Sequence, residues 1–128
     1  MKFILDTNAF IWMDTDPTKV SPRVVQVLND TNNEIHLSVA SVWEMVIKSQ
    51  TGKLVLSDTI DKIIAEQMKR NPLQLLPIEL PHVLALQTLP SIHKDPFDRL
   101  LVAQATIENA ILLSTDPLIR QYPVRVEW

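Results

Sequence analysis

Cysteine is absent from this chain of 128 residues, so neither a disulfide framework nor a thiolate metal site can exist. That suits a reducing cytosol, the compartment expected here. Glycine occurs once, at Gly52. There is no G-x-x-x-x-G-K phosphate loop and no G-x-S-x-G nucleophile elbow, which argues against P-loop and serine-hydrolase chemistry. No apolar run approaches the roughly 20 residues of a membrane span. No secretory leader is visible, because Met1-Lys2 precedes only three apolar residues before Asp6. Positive charge is also scarce. The net charge of −3 gives no overall attraction to nucleic acid, so a polyanion would need local basic groups or bound cations. What is present is ordinary globular composition, 46% hydrophobic and 21% charged, which fits one domain over residues 1–128.

Short apolar stretches alternate with helical patterns along the chain. Strands are expected at Lys2–Leu5, Glu34–Ser38, Leu73–Ile78, Ile111–Ser114 and Val124–Val126. Helices are expected over Asn8–Met13 and from Ser21-Pro22 with Val24, Val25, Val27 and Leu28 inward. Another covers Val39–Gln50, with Val42, Met45 and Val46 at helical spacing, and Thr51-Gly52 ends it. Ser57-Asp58 opens one to Arg70, with Ile60, Ile63, Ile64 and Met68 inward. Leu80–Leu89 is short and closed by Pro90. Asp95-Pro96 opens one to Asn109, and Asp116-Pro117 opens a short one. Such alternation predicts a three-layer α/β/α domain with a central parallel sheet of four or five strands.

Ligands in open α/β sheets bind beyond the carboxyl ends of the strands, at the switch in strand order. Asp6 ends the first strand, and Asp116 lies just past the strand ILLS. With strand order 3-2-1-4-5 they would converge. Glu44 sits in VASVWEMVIK, a helix apolar nearly all round, and a buried carboxylate is costly unless paired or metal-bound. Asp98 begins the helix DPFDRLLVAQA and can face the same pocket. Each acid also has an ordinary reading. Asp95 and Asp116 precede proline and can be helix caps, Asp98 can complete a capping box, Asp6 can be a turn residue, and Glu44 can pair with Lys48. Gathered together, the acids suit Mg²⁺ or Mn²⁺, hard cations that prefer oxygen ligands. His36, His82 and His93 show no close metal spacing and read as structural or surface groups. Trp12 and Trp43 read as core. Lys48, Lys53, His93, Lys94 and Arg99 are the basic groups placed to line a nucleic-acid path.

Four segments carry a family resemblance: FILDTNAFIW, SVASVWEMVIK, HKDPFDRLLVAQA and ILLSTD. Together, in this order, they resemble the PIN-domain family, specifically VapC-like toxins of toxin–antitoxin pairs. The resemblance spans nearly the whole chain. It implies a Mg²⁺- or Mn²⁺-dependent endoribonuclease with a five-stranded parallel sheet, in which Asp6, Glu44, Asp98 and Asp116 form the acidic quartet. Asn8, Ser114 and Thr115 match its supporting polar positions, and Asp95 belongs to a subgroup pattern. It also implies a homodimer and a small antitoxin whose tail covers the pocket. Two other classes compete. A haloacid-dehalogenase-type phosphatase needs a second acid two residues after the first, where this chain has Asn8. A non-catalytic domain would use the acids to bind a partner's arginines.

Overall fold

The computed structural model describes residues 1–128. Its five strands are β1 (Lys2–Leu5), β2 (Glu34–Ser38), β3 (Leu73–Leu76), β4 (Ile111–Leu113) and β5 (Val126–Glu127). They form one sheet in the order β3-β2-β1-β4-β5, and every pairing is parallel. β1 therefore lies centrally between β2 and β4, with Leu5 opposite both Leu37 and Leu113. The helices are α1 (Thr7–Thr15), α2 (Pro22–Asn29), α3 (Val39–Gln50), α4 (Ile60–Arg70), α5 (Leu80–Ala85) and α6 (Pro96–Glu108).

Strand alternation sends Phe3, Leu5, Ile35 and Leu37 into one core, with Phe10 of α1, Val24 and Val27 of α2, Met45 of α3 and Ile63 of α4. Ile4 and Leu112 face the other way, onto Leu101, Val102 and Ala105 of α6. The sheet is thus covered on both faces, which is why β1 and β4 are apolar without alternation. No helix is long and apolar enough to cross a membrane.

Several boundaries differ from the sequence reading. Pro77 cannot donate to a ladder, and β3 stops at Leu76. β5 lies at Val126–Glu127, later than expected, because Leu112 and Ser114 N–H groups bond to Arg125 and Glu127 carbonyls. α4 starts after Thr59, and Ser57 instead bonds Asp14. Leu86–Thr88 tightens into a 3-10 turn after α5. Asp116-Pro117 opens no α-helix. It makes a turn that leads to a 3-10 turn at Ile119–Gln121. Val25 and Met68, expected inward, are exposed.

Two buried polar contacts tie these elements together. The Thr7 hydroxyl of α1 donates to Ser41 of α3 at 3.0 Å. The Ser38 hydroxyl, which accepts the Ala40 N–H at the start of α3, donates to Gln104 of α6 at 2.5 Å. Gln104 is fully buried and its amide reaches the Pro77 carbonyl. Gln104→Ala would leave a cavity and remove Ser38's acceptor. Denaturant unfolding is expected to show a loss of about 2–4 kcal/mol. A loss below about 1 kcal/mol would show that this tie contributes little.

Candidate active site

Asp6 closes β1 and caps α1. Its N–H donates to the Leu113 carbonyl of β4 at 3.1 Å, and its Oδ1 accepts the Ala9 N–H at 2.7 Å. Those two bonds fix the carboxylate at the carboxyl edge of the sheet, between the ends of β1 and β4. Ser114, directly after β4, is fully buried. Its hydroxyl accepts the Asp116 N–H at 3.0 Å and also favours the ionised form of Asp6.

Glu44 lies on the buried face of α3, with Met45, while Trp43, Val46 and Ile47 face outward. An acid inside and a tryptophan outside invert the usual helix pattern. Glu44 Oε2 pairs with Lys48 Nζ at 2.9 Å, one turn on. Oε1 is buried with no hydrogen-bond partner.

α6 opens on Asp95, whose Oδ1 accepts the N–H groups of Phe97 at 2.8 Å and Asp98 at 3.3 Å. Asp95 is therefore the cap, Pro96 the first helical residue and Asp98 the third. Asp98 Oδ2 lies 3.1 Å from His93 Nε2, and Asp116 Oδ2 lies 2.9 Å from the same nitrogen. Asp116 Oδ1 accepts the Leu118 N–H at 2.8 Å.

The electrostatics reflect this crowding. Burial pushes Asp6 up to about 6, and the nearby Asp116 and Glu44 add to it against the opposing Ser114 and Ala9 donors. Burial pushes Asp98 up to about 7, helped by Asp95, Glu44 and Asp116 and opposed by His93. Lys48 is held above its ordinary value by its hydrogen bond to Glu44. Raised acids beside a buried unpartnered carboxylate oxygen fit a divalent cation held by oxygen ligands. The donor set Asp6, Glu44, Asp98 and Asp116 suits Mg²⁺ or Mn²⁺.

The remaining sequence candidates divide. Asn8, in the first turn of α1, and Thr115, two residues past β4, are exposed. Lys48, Lys53, Lys94 and Phe97 line a hollow of about 430 Å³ that shares Glu44 with the acids. Arg99 points elsewhere and donates to the Pro90 carbonyl at 2.9 Å. Trp43 is not core: it is 55% exposed and packs edge-on against Phe97 at 5.1 Å. His36 and His82 are buried, as structural groups. His82 is clamped between the Glu79 N–H and Glu108. His93 corrects the sequence reading. It stands among the acids, brought there by the turn that lets its Nδ1 accept the Asp95 N–H at 3.1 Å. The signal was its place two residues before the acidic helix start. Metal-motif spacing on one helix could not reveal a contact across 23 residues.

The raised acids set a pH dependence. Unfolded aspartates release protons near 3.8, whereas folded Asp6 and Asp98 hold theirs to about 6 and 7. The folded state binds more protons in that window, so stability falls as pH rises through it. The contribution is complete below pH 3.8 and lost by about pH 7. Thermal melts of the chelated protein from about pH 4 to 8 are expected to show this loss, with Asp98→Asn flattening the upper part. An identical slope in Asp98→Asn would contradict the shift.

Comparison with known proteins places this geometry. The PIN domain profile matches residues 3–124. No match was found among curated protein sequences. Solved structures are similar over nearly their whole length. VapBC2 of Rickettsia felis, bound to a DNA fragment from its promoter, has a chain 16% identical, with TM-score 0.73, covering 99% of this chain and 98% of that one. DNA-bound VapBC from Salmonella typhimurium gives 15%, TM-score 0.68 and coverage of 99% and 97%. VapBC-1 from nontypeable Haemophilus influenzae gives 21%, TM-score 0.66 and coverage of 99% and 97%. With its profile match running from β1 to beyond β4, and its acids gathered at the sheet's carboxyl edge, this chain belongs to the PIN domain family, a family of nucleases.

Proposed function

We propose that this chain is a Mg²⁺- or Mn²⁺-dependent endoribonuclease that hydrolyses RNA phosphodiester bonds, the toxin of a toxin–antitoxin pair acting in the cytoplasm. The observation that carries the metal reading is Glu44 Oε1, buried without a partner beside acids whose proton affinity burial and mutual repulsion raise. Asp6, Glu44, Asp98 and Asp116 would hold the ion. When bound, it lowers the pKa of a water and offsets charge on the phosphate and the leaving oxygen. Asp95 keeps the start of α6 in place for Asp98. The Ser114 hydroxyl serves both Asp6 and Asp116.

An acidic chain must hold RNA locally. Lys94 and Lys53 are exposed beside the acids, and neither is in an ion pair, so both can meet a phosphate. Lys48 can do so only by sharing its bond to Glu44, and Arg99 only by leaving the Pro90 carbonyl. The VapBC resemblance supports an antitoxin partner. An outward apolar stripe on α3, Val39, Trp43, Val46 and Ile47, supports a protein contact, either that partner or a second copy in a homodimer.

Cleavage of single-stranded RNA by the purified chain tests the reading. It is expected with Mg²⁺ or Mn²⁺, absent in chelator, and not replaced by hydrolysis of small phosphate esters. Full activity in chelator would sink the metal assignment. Asp98→Asn is expected to nearly abolish cleavage with the fold intact. Asp95→Ala is expected to cost about 1 kcal/mol through the lost cap, with a smaller effect on rate. Denaturant midpoints measured beside cleavage rates separate the two, and the reverse pattern would exchange their roles.

A further inference from the structure

We propose that the His93 imidazole holds the cation's place between Asp98 and Asp116, so that a divalent ion binds there only in competition with it. The inference rests on the acid cluster being the metal site. His93 Nε2 is 3.1 Å from Asp98 Oδ2 and 2.9 Å from Asp116 Oδ2, so one nitrogen bridges carboxylates from separate segments. Their spacing would equally suit three ligands around an ion. The other ring nitrogen decides between these roles. Nδ1 accepts the Asp95 backbone N–H at 3.1 Å, so it carries no proton. A neutral imidazole has one N–H, which must then lie on Nε2 and point at the two acids. A metal-binding nitrogen needs a free lone pair, and in this pose Nε2 has none.

The pose is braced. The His93 backbone N–H donates to the Tyr122 hydroxyl at 2.8 Å, and Tyr122 is buried. Asp116 has both oxygens engaged, Oδ1 by the Leu118 N–H and Oδ2 by His93. An ion drawn to these acids must therefore share or displace the Nε2–H. An internal occupant lowers apparent affinity by the fraction of time the site is free. His93 thus supports the metal-free fold and weakens metal binding, and its removal should move the two in opposite directions. A ligand, or a residue that merely holds the acids in position, would give weaker metal binding when removed.

The test is Mn²⁺ titration of the full chain by calorimetry, with thermal melts in chelator, for wild type, His93→Ala and Tyr122→Phe. His93→Ala is expected to lower the metal-free melting point and tighten Mn²⁺ binding on the order of tenfold. Tyr122→Phe keeps the ring but loosens its brace, and should tighten binding less. It also carries the test if His93→Ala fails to fold. Unchanged or weaker Mn²⁺ binding in the folded variants overturns the proposal while leaving the nuclease reading intact. A wild type that binds no Mn²⁺ at all removes both. RNA cleavage enters none of these readouts.

Discussion

Carboxylates repel one another, and burial sharpens the repulsion by removing the water that would screen it. Much of the architecture at the carboxyl edge of the sheet answers that single constraint. Asp6 sits on the N-terminus of α1 and Asp98 in the first turn of α6, where backbone N–H groups and the helix dipole favour negative charge. Lys48 takes one oxygen of Glu44, and His93 spans Asp98 and Asp116. Even so, Asp6 and Asp98 stay well above the ordinary aspartate range. The compensation is incomplete.

Holding these acids in register is the work of the layers beneath them. α1, α3 and α6 each deliver one acid, and each reaches the site from a different strand crossover. The Thr7–Ser41 contact joins α1 to α3, and the Ser38–Gln104 contact reaches across the sheet to α6, each within about two turns of an acid. Both are buried, where an unmade bond is expensive, so small displacements of the helices are resisted.

What could be read from the sequence was what short-range physics controls. The parallel order, the acids at strand ends and the Asp95 cap all follow from periodicity, from proline at a helix start and from the ends of apolar runs. Glu44 could be flagged because no polar neighbours surround it in VASVWEMVIK. What escaped depended on contacts distant in sequence. Trp43 looks like core by hydrophobicity, yet α3 must turn Glu44 inward, and a helix cannot bury both faces against one sheet. His93 meets Asp116 only because a loop and β4 end side by side. Asp116-Pro117 has the local chemistry of a helix start, but the chain must turn at once to bring β5 alongside β4.

The central position of β1 also has a consequence for biosynthesis. β1, which carries Asp6 at its end, is made long before its neighbour β4, with Phe3 opposite Ile111 and Leu5 opposite Leu113. β1 and β2 can pair early, but Asp6 must wait for Asp116 across 110 residues of chain. At roughly 5–20 residues per second, translation imposes a delay of about 6 to 22 seconds before those acids can meet. A chain that stops short of Asp116 holds at most three of the four acids. The order of the strands withholds the complete acid cluster until β4 and the segment after it have been made.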